Sequence, residues 1–284
     1  MKLASYRKGG RDSYGAVVGD GIVDLGGRLG GKYPTLKDAI AGDALAEMQK
    51  AATGTEPDVR LSEVELRLPI TAPDKVFCIG RNYPAYHEVQ ETPQRPKWPS
   101  VFPRYTSSFA ACNEAIVKPR VSDQLDWEGE LALVMGKRSR HVAEGSWRDA
   151  VFGYTILNEG SVRDWQSKGT QNCPGKNFYH AGSIGPWLVT ADEIADPLNL
   201  PITTRVNGKV MQDGNSGSML FKIPFLISHI STFTWFEPGD IIATGSPGGS
   251  GIEHDPQVWL KAGDTLEVEI GGIGVLKNPV VAEA

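Results

Sequence analysis

The chain has 284 residues, 40% hydrophobic and 22% charged, with a formal net charge of −5. This is an ordinary globular composition, long enough for one large domain or a large and a small one, and its mild acidity gives no general attraction to nucleic acid or to an anionic membrane. No apolar run is long enough to span a bilayer, MKLASYRKGG has no apolar signal core, and Cys78, Cys112 and Cys173 form no CxxC pair, so the expectation is a cytoplasmic protein with reduced thiols, without zinc centre or disulfide framework.

Residues 1–70 read as a small N-terminal α/β domain. Short alternating pieces, Tyr14 to Val18 and Ile22 to Leu25, are separated by Gly-rich turns. Two helical patterns follow, TLKDAIAG and ALAEMQKAATG, the second ending at a capping glycine. EVELRLPI alternates as a strand, and TAPD turns the chain. Residues 71–284 have a different texture. Strands recur (KVFCIG, ELALVMG, VFGYTILN, ITTRVNGKV, DIIATG, TLEVEIGGIGVLKN), and IPFLISHISTF is the clearest helix. Regular strand–helix alternation is missing and irregular stretches such as 91–125 are long, which points to an α+β fold around a large mixed sheet.

DWEGELALVMGK, residues 126–137, places Glu128 and Glu130 on one face of a strand just before an apolar run. Two carboxylates entering a core repel each other and must take up protons or meet a cation. Glu159, in LNEGSVRDWQ after the strand VFGYTIL, is a third candidate. Oxygen-only ligands suit a hard ion, Mg²⁺ or Mn²⁺, with Ca²⁺ behind them. The plainer alternative is that Glu128 and Glu130 lie on a solvated strand edge and that Glu159 sits in a turn at NEG.

The surrounding motifs resemble the fumarylacetoacetate hydrolase superfamily, in its acylpyruvate hydrolase and 2-hydroxyhepta-2,4-diene-1,7-dioate isomerase-like branch. KVFCIGRNY, DWEGELALVMGK, VFGYTILNEGSVRDWQ, PGKNF, GPWLVTADEI, RVNGKVMQDGN, PGDIIATGSPGGSG and LKAGDTLEVEIGGIGVLKN occur in the family's order between Lys75 and Pro279. The resemblance implies a large mixed β-sheet rolled around the active site, a homodimer, and Glu128, Glu130 and Glu159 as ligands of Mg²⁺ or Mn²⁺. The family's third ligand is usually aspartate; here it is Glu159, one methylene longer, followed by Gly160. Lys176 in PGKNF resembles a lysine that reaches a substrate oxygen. Arg104 in FPRYTSS falls where members carry Lys or Arg, and an arginine can hold a carboxylate bidentately. Thr244 of the ATG turn and Gln166 match positions that border substrate.

The family's N-Y-x-x-H histidine, paired with a glutamate three residues on, activates water. This chain reads NYPAYHEVQE: Tyr86 stands at the histidine position, His87 comes one residue later and Glu91 four after that. Residues at i and i+4 share a helix face, so His87 and Glu91 form a geometrically possible dyad. ATGSPGGSG lacks the GK[ST] ending of a phosphate loop. His180 lies close to the expected site in sequence, whereas His229 falls within an apolar helix pattern.

These residues suit enolate chemistry on a small anionic diketo or 2-oxo acid. The first expectation is metal-dependent C–C bond hydrolysis of an acylpyruvate-type acid in aromatic compound catabolism. The alternative is a decarboxylase, isomerase or hydratase of 2-oxo dicarboxylic acids, which the displaced histidine favours because these reactions need no hydrolytic water. A weakened or non-catalytic binding homologue is the third reading.

Overall fold

The computed structural model describes residues 1–84 and 96–284. His87 and Glu91 lie outside the described residues.

Among the described residues, a mixed twelve-stranded sheet takes its strands from between Lys2 and Ala243. Its middle is formed by Gly182–Thr190, Val151–Asn158, Gly129–Met135, Ile241–Ala243 and Val76–Gly80, each hydrogen-bonded to the next. The last two pair in parallel and the others antiparallel. Every residue of Gly129–Met135 is buried, so this strand is covered on both faces and reads as an unbroken apolar run after Glu130. Leu131, Leu133 and Met135 join one core cluster with the helix Ile223–Phe233; Ala132 and Val134 join a second with Phe109, Leu157 and the N-terminal helices. By the two-residue period, Glu130 shares the second face.

A five-stranded sheet, in the order Lys209–Asn215, Pro201–Val206, Thr265–Ile270, Gly274–Ala282 and Ile116–Lys118, packs beside the first. The structure is the α+β arrangement around a large mixed sheet that the strand-rich sequence suggested. The N-terminal segment contributes Lys2–Lys8, Arg11–Val18 and Gly21–Asp24 to the large sheet, because Lys2–Lys8 pairs with Gly182–Thr190. Its helix Leu36–Ala41 starts at a capping box between Thr35 and Asp38, and Leu45–Ala52 stops just before Gly54.

Candidate active site

Strand register brings Glu128 and Glu159 together. Gly129 is opposite Asn158 and Glu130 opposite Leu157; one step further, the Glu159 N–H donates to the Glu128 carbonyl at 2.7 Å. Glu128 and Glu159 are thus cross-strand neighbours, with Glu130 two residues along on the same strand side. Glu130 is 1% and Glu159 2% exposed. Gly160 allows this approach: a β-carbon there would stand 1.8 Å from the Ala181 carbonyl oxygen.

Three cations face these carboxylates. Lys176 ends the short helix Cys173–Lys176; its buried ammonium contacts Glu128 and lies 3.2 Å from Glu159 Oε1. Arg163 donates from Nη2 to Glu128 Oε1 at 3.0 Å and from Nε to Asp126 Oδ2 at 2.7 Å. Arg104 Nη1 stands 3.9 Å from Glu159 Oε1. Four carboxylates, counting Asp126, meet three cations, so one negative charge is in excess when all are ionised.

That imbalance is unequally shared. Burial would raise the Glu128 carboxyl, but Arg163 and Lys176, with hydrogen bonds from Lys176 and Ser161, hold it at about 2. Glu130 receives the Gly245 N–H at 2.8 Å, yet burial, then Glu159 and Glu128, push it well above the carboxylate range. Burial also raises Glu159, against the pull of Lys176. Lys176 itself loses to burial but gains more from Glu128 and Glu159, which keep it protonated.

Lys176, Glu128, Glu130 and Glu159 therefore converge, with Arg104 behind them. Thr244 is buried beside them, but its hydroxyl donates to the Leu131 carbonyl at 2.8 Å. Gln166 is half-buried and accepts from Arg163 Nη1 at 3.1 Å. His180 lies away from the cluster, lining a surface cavity of about 210 Å³ with Arg67, Ser107 and Glu114. His229 is half-buried on its helix and stacks on Trp98. The glycine-rich turn holds carboxylates: Gly245 N–H serves Glu130, and Gly251 and Ile252 N–H serve Asp126 at 2.6 and 3.1 Å.

Asp126, Ser161 and Arg163 escaped the sequence reading. The signal was present, since Asp126 extends the alternation of Glu128 and Glu130 by one more step, and SVRDWQ puts an arginine four residues after Glu159.

Among the described residues, no three His, Cys, Asp or Glu side chains are grouped as they would be around a metal ion; the group between Glu128 and Glu159 is the Lys176 ammonium. The donor chemistry nevertheless fits a hard dication. The donors are all oxygen, Glu159 Oε1 is buried without a directed hydrogen bond, and burial raises both Glu130 and Glu159, a cost that a bound dication would offset.

Residues 75–281 match the family model of the fumarylacetoacetate (FAA) hydrolase C-terminal domain. The chain belongs to the fumarylacetoacetate hydrolase family. It is 42% identical to the mitochondrial oxaloacetate tautomerase FAHD2A of Homo sapiens over 271 residues, 93% of this chain and 85% of that one. Among solved structures, maleylpyruvate hydrolase of Sphingobium sp. SYK-6, in complex with manganese(II) and pyruvate, aligns over the whole of both chains with a TM-score of 0.83 and 28% identity. The 2-hydroxyhepta-2,4-diene-1,7-dioate isomerase of Mycobacterium marinum aligns over 100% of this chain and 99% of its own, with a TM-score of 0.77 and 27% identity. Hydrolases and isomerases thus share this fold, and the chain is a member of this enzyme family. No helix among the described residues is long and apolar enough to cross a membrane.

Proposed function

We propose that this protein interconverts the enol and keto forms of a 2-oxo dicarboxylic acid, with oxaloacetate as the first substrate to test. The observation that carries the reading is the buried cluster of Glu128, Glu130, Glu159 and Lys176, found in a chain 42% identical to an oxaloacetate tautomerase across 93% of its length. The isomerase alternative thereby takes precedence over the first expectation of C–C bond hydrolysis.

Glu128, Glu130 and Glu159 would hold Mg²⁺ or Mn²⁺. When bound, such an ion supplies positive charge that stabilises an enolate. Lys176, protonated and buried, offers its ammonium to the substrate's 2-oxygen, where negative charge develops. Arg163 and Ser161 keep Glu128 ionised and oriented, so that its charge stays inside the cluster. The resemblance gives a histidine–glutamate pair the activation of water; we propose that His87 with Glu91 here moves the proton at carbon instead. The enol loses a proton from oxygen and gains one at C3, so atoms balance and nothing is consumed.

The test is direct. Chelator-treated protein receives enol-oxaloacetate, with and without Mn²⁺ or Mg²⁺, and the loss of enol absorbance is followed while pyruvate and CO₂ are assayed. Cation-dependent acceleration without pyruvate is expected. If no cation accelerates the exchange above the buffer rate, the reading fails; pyruvate formation would make the enzyme a decarboxylase instead.

Hydrolysis of an acylpyruvate is the second reading, favoured by the full-length likeness to maleylpyruvate hydrolase. It requires an activated water, so His87→Ala would abolish it. We further propose a homodimer, which light scattering would check. The three cysteines are unpaired, which accords with a reducing compartment; we retain the cytoplasm as its place, although the human relative is by name mitochondrial.

A further inference from the structure

Arg104 was expected to clamp a substrate carboxylate, but its donors are committed inward. The side chain is 0% exposed. Its Nη1 donates to the Gly160 carbonyl at 3.1 Å, Nε to Ser108 Oγ at 3.2 Å, and Nη2 to the Ser108 carbonyl at 3.5 Å. The guanidinium carbon lies 4.4 Å from the centre of the Phe109 ring. The slot fits this group closely: a β-carbon on Gly182 would stand 3.0 Å from Nη2.

The turn that Arg104 holds is the one that presents Glu159. Glu159 Oε1 has the Lys176 ammonium at 3.2 Å and Arg104 Nη1 at 3.9 Å but accepts no directed hydrogen bond, so its backbone shares in setting the carboxylate's place. That backbone is fixed at three points. The Glu159 N–H binds the Glu128 carbonyl, Ser161 Oγ shares its single proton between the Glu159 carbonyl at 2.8 Å and Glu128 Oε2 at 2.7 Å, and Arg104 binds the next carbonyl, that of Gly160. Ala181 closes the remaining side against Gly160. We infer that Arg104 is a positioning residue that fixes the Glu159–Gly160 turn and does not touch substrate. This rests on the reading of Glu159 as a working site residue.

The test uses Arg104→Gln and Arg104→Lys in the full chain, with folding checked by melting. Amide hydrogen exchange at Glu159 and Arg163, which flank the turn and donate to Glu128 and Gln124, is expected to speed up about tenfold or more in R104Q, and less in R104K, which keeps a charge in the slot. Unchanged protection at these amides overturns the inference. For oxaloacetate, kcat is expected to fall about 10–100-fold, and Mn²⁺ affinity by a similar factor in calorimetry, while KM stays within about threefold. A tenfold or greater rise in KM, with kcat and Mn²⁺ affinity kept, would make Arg104 a substrate contact after all. If the unaltered protein neither binds Mn²⁺ nor acts on any 2-oxo acid, the functional reading falls, and the exchange measurement alone still decides for or against Arg104.

Discussion

Glu128 and Glu130 are two residues apart and are driven in opposite directions by their neighbours. Glu128 has Arg163 and Lys176 against its oxygens, whereas Glu130 has a single backbone N–H and two other carboxylates close by. A carboxyl held at about 2 in the fold and near 4.5 unfolded adds stability that is complete above pH 4.5 and disappears as pH falls towards 2. The shift corresponds to at most about 3 kcal/mol. Urea unfolding of Glu128→Gln should therefore show a deficit at pH 6 that shrinks below pH 4.5 and closes only as pH falls towards 2; a deficit independent of pH would mean that packing, not charge, is lost. Glu130 has the opposite sign. A raised carboxyl favours the fold below its unfolded pKa, and that contribution is lost as pH rises through the folded value. In chelator, Glu130→Gln should melt above the unaltered protein at pH 8, by about 2–4 °C per kcal/mol relieved, and match it near pH 4. A variant that melts lower at pH 8 would refute the assignment of Glu130 as a buried carboxylate short of a cation.

At the scale of elements, the site is a junction between a strand pair and the glycine-rich turn. Asp126 makes that junction: its oxygens accept the N–H groups of Trp127, Gly251 and Ile252 and the Nε of Arg163. Asp126→Ala would remove the acceptor of two buried N–H groups, those of Trp127 and Gly251, and of the part-buried Ile252 N–H, and would leave Arg163 with Glu128 and Gln166. Removing one member of a buried pair costs about 3–5 kcal/mol, so melting should drop by about 10 °C, with Glu128 loosened through Arg163. A drop of only a degree or two would show that the turn is held elsewhere. The strands and helices themselves were readable from local pattern, because KVFCIG, ELALVMG and VFGYTILN are apolar runs bounded by turns and Ile223–Phe233 follows helical spacing. The glutamates were readable because a carboxylate interrupting such a run needs a reason. Asp126 and Arg163 were not recognised, since their importance comes from Arg163 pairing with Asp126 across 37 residues of chain and with Glu128 across 35, and spacing along the sequence does not reveal such a pairing. Arg104 could be found as a cation but not given its direction, which depends on Gly160, Ser108 and Phe109 arriving from other segments.

For the molecule as a whole, the decisive property is that the cluster exists only in the folded chain. Its members come from segments around residues 104, 126–130, 159–163, 176 and 245, joined by sheet register and by the close packing of Gly160 on Ala181. An unfolded chain offers no such group of carboxylates, so an ion that binds the cluster binds the native state alone and stabilises all of it by mass action. At a Mn²⁺ concentration 100 times its dissociation constant the gain is about 2.7 kcal/mol, a rise in melting temperature of about 5–10 °C for a chain of this size. The rise should be lost in Glu128→Gln, Glu130→Gln and Glu159→Gln alike, even though Glu130→Gln starts from a higher metal-free value at pH 8. That pattern separates ion binding from nonspecific screening, which would shift all four proteins equally. If Mn²⁺ and Mg²⁺ leave the melting temperature of the chelator-treated protein unchanged at millimolar concentration, Lys176 is the resident cation of this cluster, and the enolate's charge would have to be carried by ammonium and guanidinium groups alone.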